Sequence, residues 1–246
     1  MGCAHKENQD GFTLVEISIV MIIIGLLIGG TFGGMKLIEN MQVNRTVQDL
    51  KAIESAALTF KDTYNRLPGD MPNTAARLPS CTTAPCATGG NGDRQISPTG
   101  AVTPWNAAID VTWERFTFWH HLQAAGLLSM DYKNSVDPTF GEGQPTSPLA
   151  GGYRISNFSG GAGPCPTLVT NGFINITPDA AILMDNNYVI NCGRVRSLDN
   201  KIDDDNPYSG KIMTPTTDAC TASFVCGSGY TQLNASATGI WYDAAF

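Results

Sequence analysis

The chain has 246 residues, 42% hydrophobic and 15% charged, so it can build a packed core and is not disordered as a whole. Fifteen Lys+Arg against 22 Asp+Glu leave a formal net charge of -7. That balance argues against nucleic acid as a partner, because neutralising phosphates needs a basic face. Length alone admits one or two domains.

The first eleven residues, MGCAHKENQDG, are short and polar. From Ile17 to Met35 no residue is charged. Nineteen helical residues at ~1.5 Å each cover roughly 28 Å, about the hydrocarbon core of a bilayer. A soluble core helix is rarely apolar on every side for this long. A cleavable secretory signal would need a basic start and a small-residue exit, and neither is evident. Glu16 stands one step before the run, and a carboxylate there is costly unless it serves a function. Gly25/Gly29, Gly29/Gly33 and Gly30/Gly34 have the spacing that lets helices approach closely.

Beyond Lys36 the pattern becomes amphipathic. Val43, Val47, Leu50, Ile53, Ala57, Phe60 and Tyr64 recur at three- and four-residue steps between polar and charged residues. No Gly or Pro interrupts residues 35–66, so one continuous helix is expected, ending at Leu67-Pro68-Gly69-Asp70. Residues 67–110 are loop-rich. Val111 to Ala125 reads as a helix with a stripe of Trp113, Phe116, Trp119, Leu122 and Ala125, capped by Gly126. Strand-like runs follow at 153–158, 173–177, 188–191, 210–213, 230–233 and 239–242, and Thr177-Pro178 opens a short helix to Met184. A long helix followed by several strands predicts an α+β fold with an antiparallel sheet packed on the amphipathic half-helix.

The segment GFTLVEISIVMIIIGLLIGG, from Gly11 onward, resembles the N-terminus of type IV prepilins, shared by pilins and the pseudopilins of type II secretion. Its pattern is a polar leader ending in Gly, then Phe, then Glu as fifth residue of the new chain, then an apolar helix. The resemblance implies the pilin fold, with a disulfide-containing antiparallel sheet. It implies cleavage between Gly11 and Phe12 by a prepilin peptidase, N-methylation of Phe12, and pairing of Glu16 with the Phe12 amine of a neighbouring subunit in a filament. The implied divisions are a leader at 1–11, a membrane half-helix at 12–36, an amphipathic half-helix at 37–66 and a periplasmic or extracellular domain at 67–246. The implied partners are further copies of the chain and other pilins, the peptidase, an inner-membrane assembly platform and ATPase, and the membrane before assembly. The protein would sit in the bacterial inner membrane by a single pass, then in a periplasmic or cell-surface filament. The exit Tyr64–Asp70 and the segment 197–212 also resemble prepilin-like sequences. The size of the domain favours a pilin or a minor tip subunit acting in adhesion or uptake, and a pseudopilin remains the alternative.

After loss of the leader and Cys3, six cysteines remain: Cys81, Cys86, Cys165, Cys192, Cys220 and Cys226. An even count in an exported domain points to disulfides. Proximity in sequence pairs 81 with 86, 165 with 192 and 220 with 226. Their spacing, without CxxC or a nearby His, disfavours zinc. No resident cofactor is implied. Calcium is the one metal with a candidate site, in the acidic turn of Asp199, Asp203, Asp204 and Asp205, with Asn91-Gly92-Asp93 a weaker oxygen group. No hydrolase or phosphate-loop signature occurs, so a non-enzymatic role is expected. Adjacent His120 and His121 point about 100° apart on a helix, which predicts one buried and one exposed.

Overall fold

The computed structural model describes residues 11–96, 113–130, 132–133, 135–157, 172–177, 190–206, 210–213, 236–237 and 240–244. The chain divides into two units, residues 1–41 and 42–246. One helix, α1 (Leu14–Tyr64, 51 residues), contributes to both. In the first unit its apolar side chains are exposed along the whole run, Leu14 at 86% and Leu26 at 73%. Among the described residues this is the one helix long and apolar enough to cross a membrane, consistent with a single-pass anchor.

In the second unit α1 buries one stripe: Val43, Thr46, Asp49, Leu50, Ile53, Ala56, Ala57 and Phe60. Five of the seven residues of the predicted stripe are in this set, Thr46, Asp49 and Ala56 join it, and Val47 and Tyr64 are half-buried beside it. The helix stops where Asn65 turns left-handed at φ 53, a conformation that Asn tolerates better than most residues, and Pro68 follows. Within the loop-rich region a short helix, α2 (Thr74–Arg77), is present. Helix α3 spans Glu114–Ala124. It ends in a Schellman motif: Leu127 N–H donates to Leu122 C=O at 3.0 Å and Gly126 N–H to Gln123 C=O at 3.0 Å. Gly126 sits at φ +67, the left-handed position this cap requires.

Four antiparallel strands form the main sheet in the order β1-β2-β6-β4: β1 is Gly152–Asn157, β2 Gly172–Thr177, β4 Ile212–Met213 and β6 Ile240–Asp243. A second, two-stranded sheet pairs β3 (Ile190–Asn191) with β5 (Ser236–Ala237). The register sets Tyr153 opposite Ile176, which is opposite Ile240, and Ile155 opposite Ile174, which is opposite Tyr242. With a side-chain period of two, these six share one face, and all are buried. Hydrogen bonds tie that face to α1. Tyr153 Oη donates to Asp49 Oδ2 at 3.2 Å, and Tyr242 Oη to Glu54 Oε2 at 2.5 Å. Lys211 Nζ adds a 3.3 Å ion pair with Glu54. The result is the expected α+β architecture of the pilin fold, a long N-terminal helix with an antiparallel sheet on its second half.

Helix α4 (Cys192–Ile202) is an addition to the sequence reading. Asn191 caps it, its side chain accepting from Gly193 N–H at 2.8 Å, and Val195 and Leu198 are buried at helical spacing. Gly193 and the acidic residues downstream hid this short period. The expected helix at 177–184 and strand at 230–233 lie outside the described residues, apart from Thr177, which ends β2.

Candidate functional site

The N-terminal site is built on the first turn of α1. A helix leaves its first N–H groups unsatisfied, and Thr13-Leu14-Val15-Glu16 meets that need as a capping box. Glu16 Oε2 accepts from Thr13 N–H at 2.8 Å and from Thr13 Oγ1 at 2.8 Å, while Thr13 Oγ1 accepts from Glu16 N–H at 3.3 Å. Glu16 therefore closes its own helix end within one chain. The T-x-x-E spacing was the signal for this cap, and the membrane-length run beside it drew the reading elsewhere. Gly11 and Phe12 lie just ahead of the helix, both exposed, with Phe12 at 84%. A Cβ placed on Gly25, Gly29, Gly30, Gly33 or Gly34 meets nothing within 4 Å, so these positions leave open backbone along the apolar helix.

Cys81 and Cys86 are joined by a disulfide, and both are buried. Cys192 is also disulfide-bonded, to a partner outside the described residues. Cys165, Cys220 and Cys226 lie outside them too.

At the C-terminal end of α4 the structure gathers Asp199 of the helix with Asp203 and Asp204 of the turn after it, one oxygen of each within 4.8 Å of the others. Asp203 Oδ2 accepts from the backbone N–H of Lys211 and, at 3.4 Å, from that of Ile212, so it anchors the start of β4. Asp205 turns away at φ 61 and is held by Arg196, Nε to Oδ1 at 2.9 Å and the terminal nitrogen to Oδ2 at 2.8 Å. These hydrogen bonds hold its carboxyl below the ordinary aspartate value.

Both histidines of α3 are buried, against the expectation of one exposed. The reason is that α3 is enclosed on nearly all sides, from Glu114 to Leu122. His121 Nδ1 accepts from Gly69 N–H at 2.8 Å, so its proton sits on Nε2, which donates to Cys86 C=O at 3.1 Å. Burial pushes its pKa down to about 4. His120 Nδ1 donates to Phe116 C=O at 3.1 Å, and burial lowers its pKa as well. The His121 imidazole is a neutral bridge between the α1 exit and Cys86, whereas the His120 bond to Phe116 lies within its own helix.

Residues 6–32 match the family described as the prokaryotic N-terminal methylation motif. This motif is diagnostic of type IV prepilins and pseudopilins. The match spans the end of the polar leader, the capping box and most of the apolar helix. No curated protein and no solved structure matches the chain. Prepilin-like proteins are a non-catalytic structural class, and the motif supports a non-enzymatic role for the chain.

Proposed function

We propose that the chain is a structural subunit of a type IV pilus-like filament. The carrying observation is the methylation motif at 6–32, which runs into a helix whose apolar side chains are exposed from Leu14 to Met41. Lipid covers that surface before assembly, and neighbouring copies of the same helix cover it afterwards. Because lipid tails are as apolar as Leu, packing and polar pairing decide the register in the filament. The open glycine backbone supports close helix approach.

In this reading residues 1–11 are the leader. A prepilin peptidase cuts between Gly11 and Phe12, and the new Phe12 amine is methylated. Residues 12–36 are drawn from the inner membrane, 37–66 carry the domain, and 67–246 are exported, with an assembly platform and ATPase as partners. Glu16 exchanges its cap on Thr13 for the Phe12 amine of a neighbouring subunit. Two opposite charges in a low-dielectric core attract strongly, and each is costly alone.

The test is Glu16→Ala in the native host. We expect normal membrane levels, with the sheared surface fraction reduced at least tenfold. Wild-type incorporation of E16A into filaments would overturn the role given to Glu16. A null strain that keeps its surface filaments but loses protein export would move the chain to a type II secretion pseudopilus.

A further inference from the structure

The second unit holds another group of oxygens, remote in sequence from the acidic turn after α4. Asp70, Asp93 and Glu114 come from the exit of α1, the loop before α3 and the first residue of α3, and one carboxylate oxygen of each lies within 4.8 Å of the others. Carboxylates at that separation repel one another, and a cation held among them relieves the repulsion. An ion with ~2.4 Å bonds can bridge oxygens up to about 4.8 Å apart.

The independent observation is Asp70. Its side chain is wholly buried at 0% exposure. Its Oδ2 accepts from Arg94 N–H at 3.0 Å, but its Oδ1, shielded from solvent, has no hydrogen-bond partner. The backbone N–H of Gly92 also faces this carboxylate, but it makes no full hydrogen bond to Oδ1, so that buried oxygen forfeits hydration that it does not fully recover. Arg66 is near enough to attract Asp70 but makes no ion pair with it.

The loop is held for this arrangement. Asn91 N–H donates to Glu114 Oε1 at 2.8 Å, and Asp93 N–H donates to Asn91 Oδ1 at 2.8 Å. Gly90 N–H donates to Met71 C=O at 3.1 Å, and a Cβ on Gly90 would run into the backbone of Gly69 and Asp70. The two loops therefore touch backbone to backbone beside the three carboxylates.

We propose that Asp70, Asp93 and Glu114 bind a calcium ion that clamps the α1 exit and the loop before α3 to the N-terminus of α3. All-oxygen donors suit a hard cation. Calcium tolerates this irregular spread and completes its shell with water or carbonyls, whereas magnesium demands a tighter octahedron at ~2.1 Å.

The experiment uses full-length protein in mild detergent, stripped with chelator and then titrated with calcium or magnesium chloride. Thermal melts and tryptophan-sensitised terbium luminescence are read, Trp113 being next to Glu114 in the chain. Calcium at a hundredfold excess over Kd is expected to raise Tm by on the order of 5 °C. Asp93→Asn should abolish most of that rise and of the luminescence. Asp93 is exposed and its Asn keeps the turn acceptor, so this variant folds even if Asp70→Asn does not. Asp203→Asn/Asp204→Asn should retain the response. No calcium response in the folded wild type, an equal response to magnesium, or a response kept in D93N and lost in D203N/D204N would each overturn the assignment.

Discussion

Lowering the pH through the histidine range tests how α3 is held. His121 has a pKa of about 4 in the folded chain against 6.5 in an unfolded one. Above pH 6.5 both states carry it neutral and its contribution is complete. Between 6.5 and about 4 the unfolded state takes a proton that the folded state refuses, so stability falls as pH falls, and below that the contribution is flat. At ~1.36 kcal/mol per pH unit this amounts to about 3 kcal/mol in full, most of it lost by pH 4.5. The structural cause is specific. Protonating Nδ1 would set an N–H against the Gly69 N–H that it now accepts from. His120 acts in the same direction. Asp70 and Asp243 act oppositely, because burial raises their carboxyls and favours the protonated folded form as pH falls toward the carboxylate range. Comparison with His121→Gln isolates the one group. Urea unfolding of the full chain in detergent, followed by tryptophan fluorescence at pH 7 and 4.5, measures both. The variant is expected to be less stable at pH 7 and to lose on the order of 2 kcal/mol less than wild type on acidification. Equal losses in the two proteins would refute the reasoning.

Other expectations follow from the same contacts. Cys81→Ser/Cys86→Ser opens a short buried loop and should lower stability by about 2 kcal/mol under oxidising conditions, with no effect on a wild type already reduced. Tyr153→Phe removes the donor to Asp49 Oδ2 in the interior and should cost about 1–3 kcal/mol in urea unfolding. Tyr242→Phe, whose partner Glu54 is also reached by Lys211, should cost less, about 1 kcal/mol.

The long helix and its two halves were legible because their signals extend over many residues: an uncharged run at 17–35, then apolar residues at helical steps to Tyr64. The strands at 152–157, 172–177 and 240–243 were legible for a related reason, since β-branched and aromatic residues alternate there. Helix α4 was not, although Cys192, Val195, Leu198 and Ile202 recur at helical steps, because it is only eleven residues long and lies between a strand-like run and an acidic turn. The cap between Thr13 and Glu16 was local and readable, yet the apolar run masked it. The burial of both His120 and His121 could not be read from periodicity, since it depends on residues from the α1 exit and the 81–86 loop closing over α3. The Asp70, Asp93 and Glu114 group is of the same kind, three segments meeting through contacts that no spacing encodes. Asp205 shows the converse. Its neighbours in sequence suggested a shared site, and a backbone turn gave it to Arg196 instead.

The most direct test of the central claim is the intact mass of the protein taken from its own cells. The account predicts a chain that starts at Phe12, lacks residues 1–11 and carries one added methyl group on its N-terminus. A chain that still begins at Met1 in the assembled or membrane fraction would contradict it and return the helix at 14–41 to an ordinary membrane anchor.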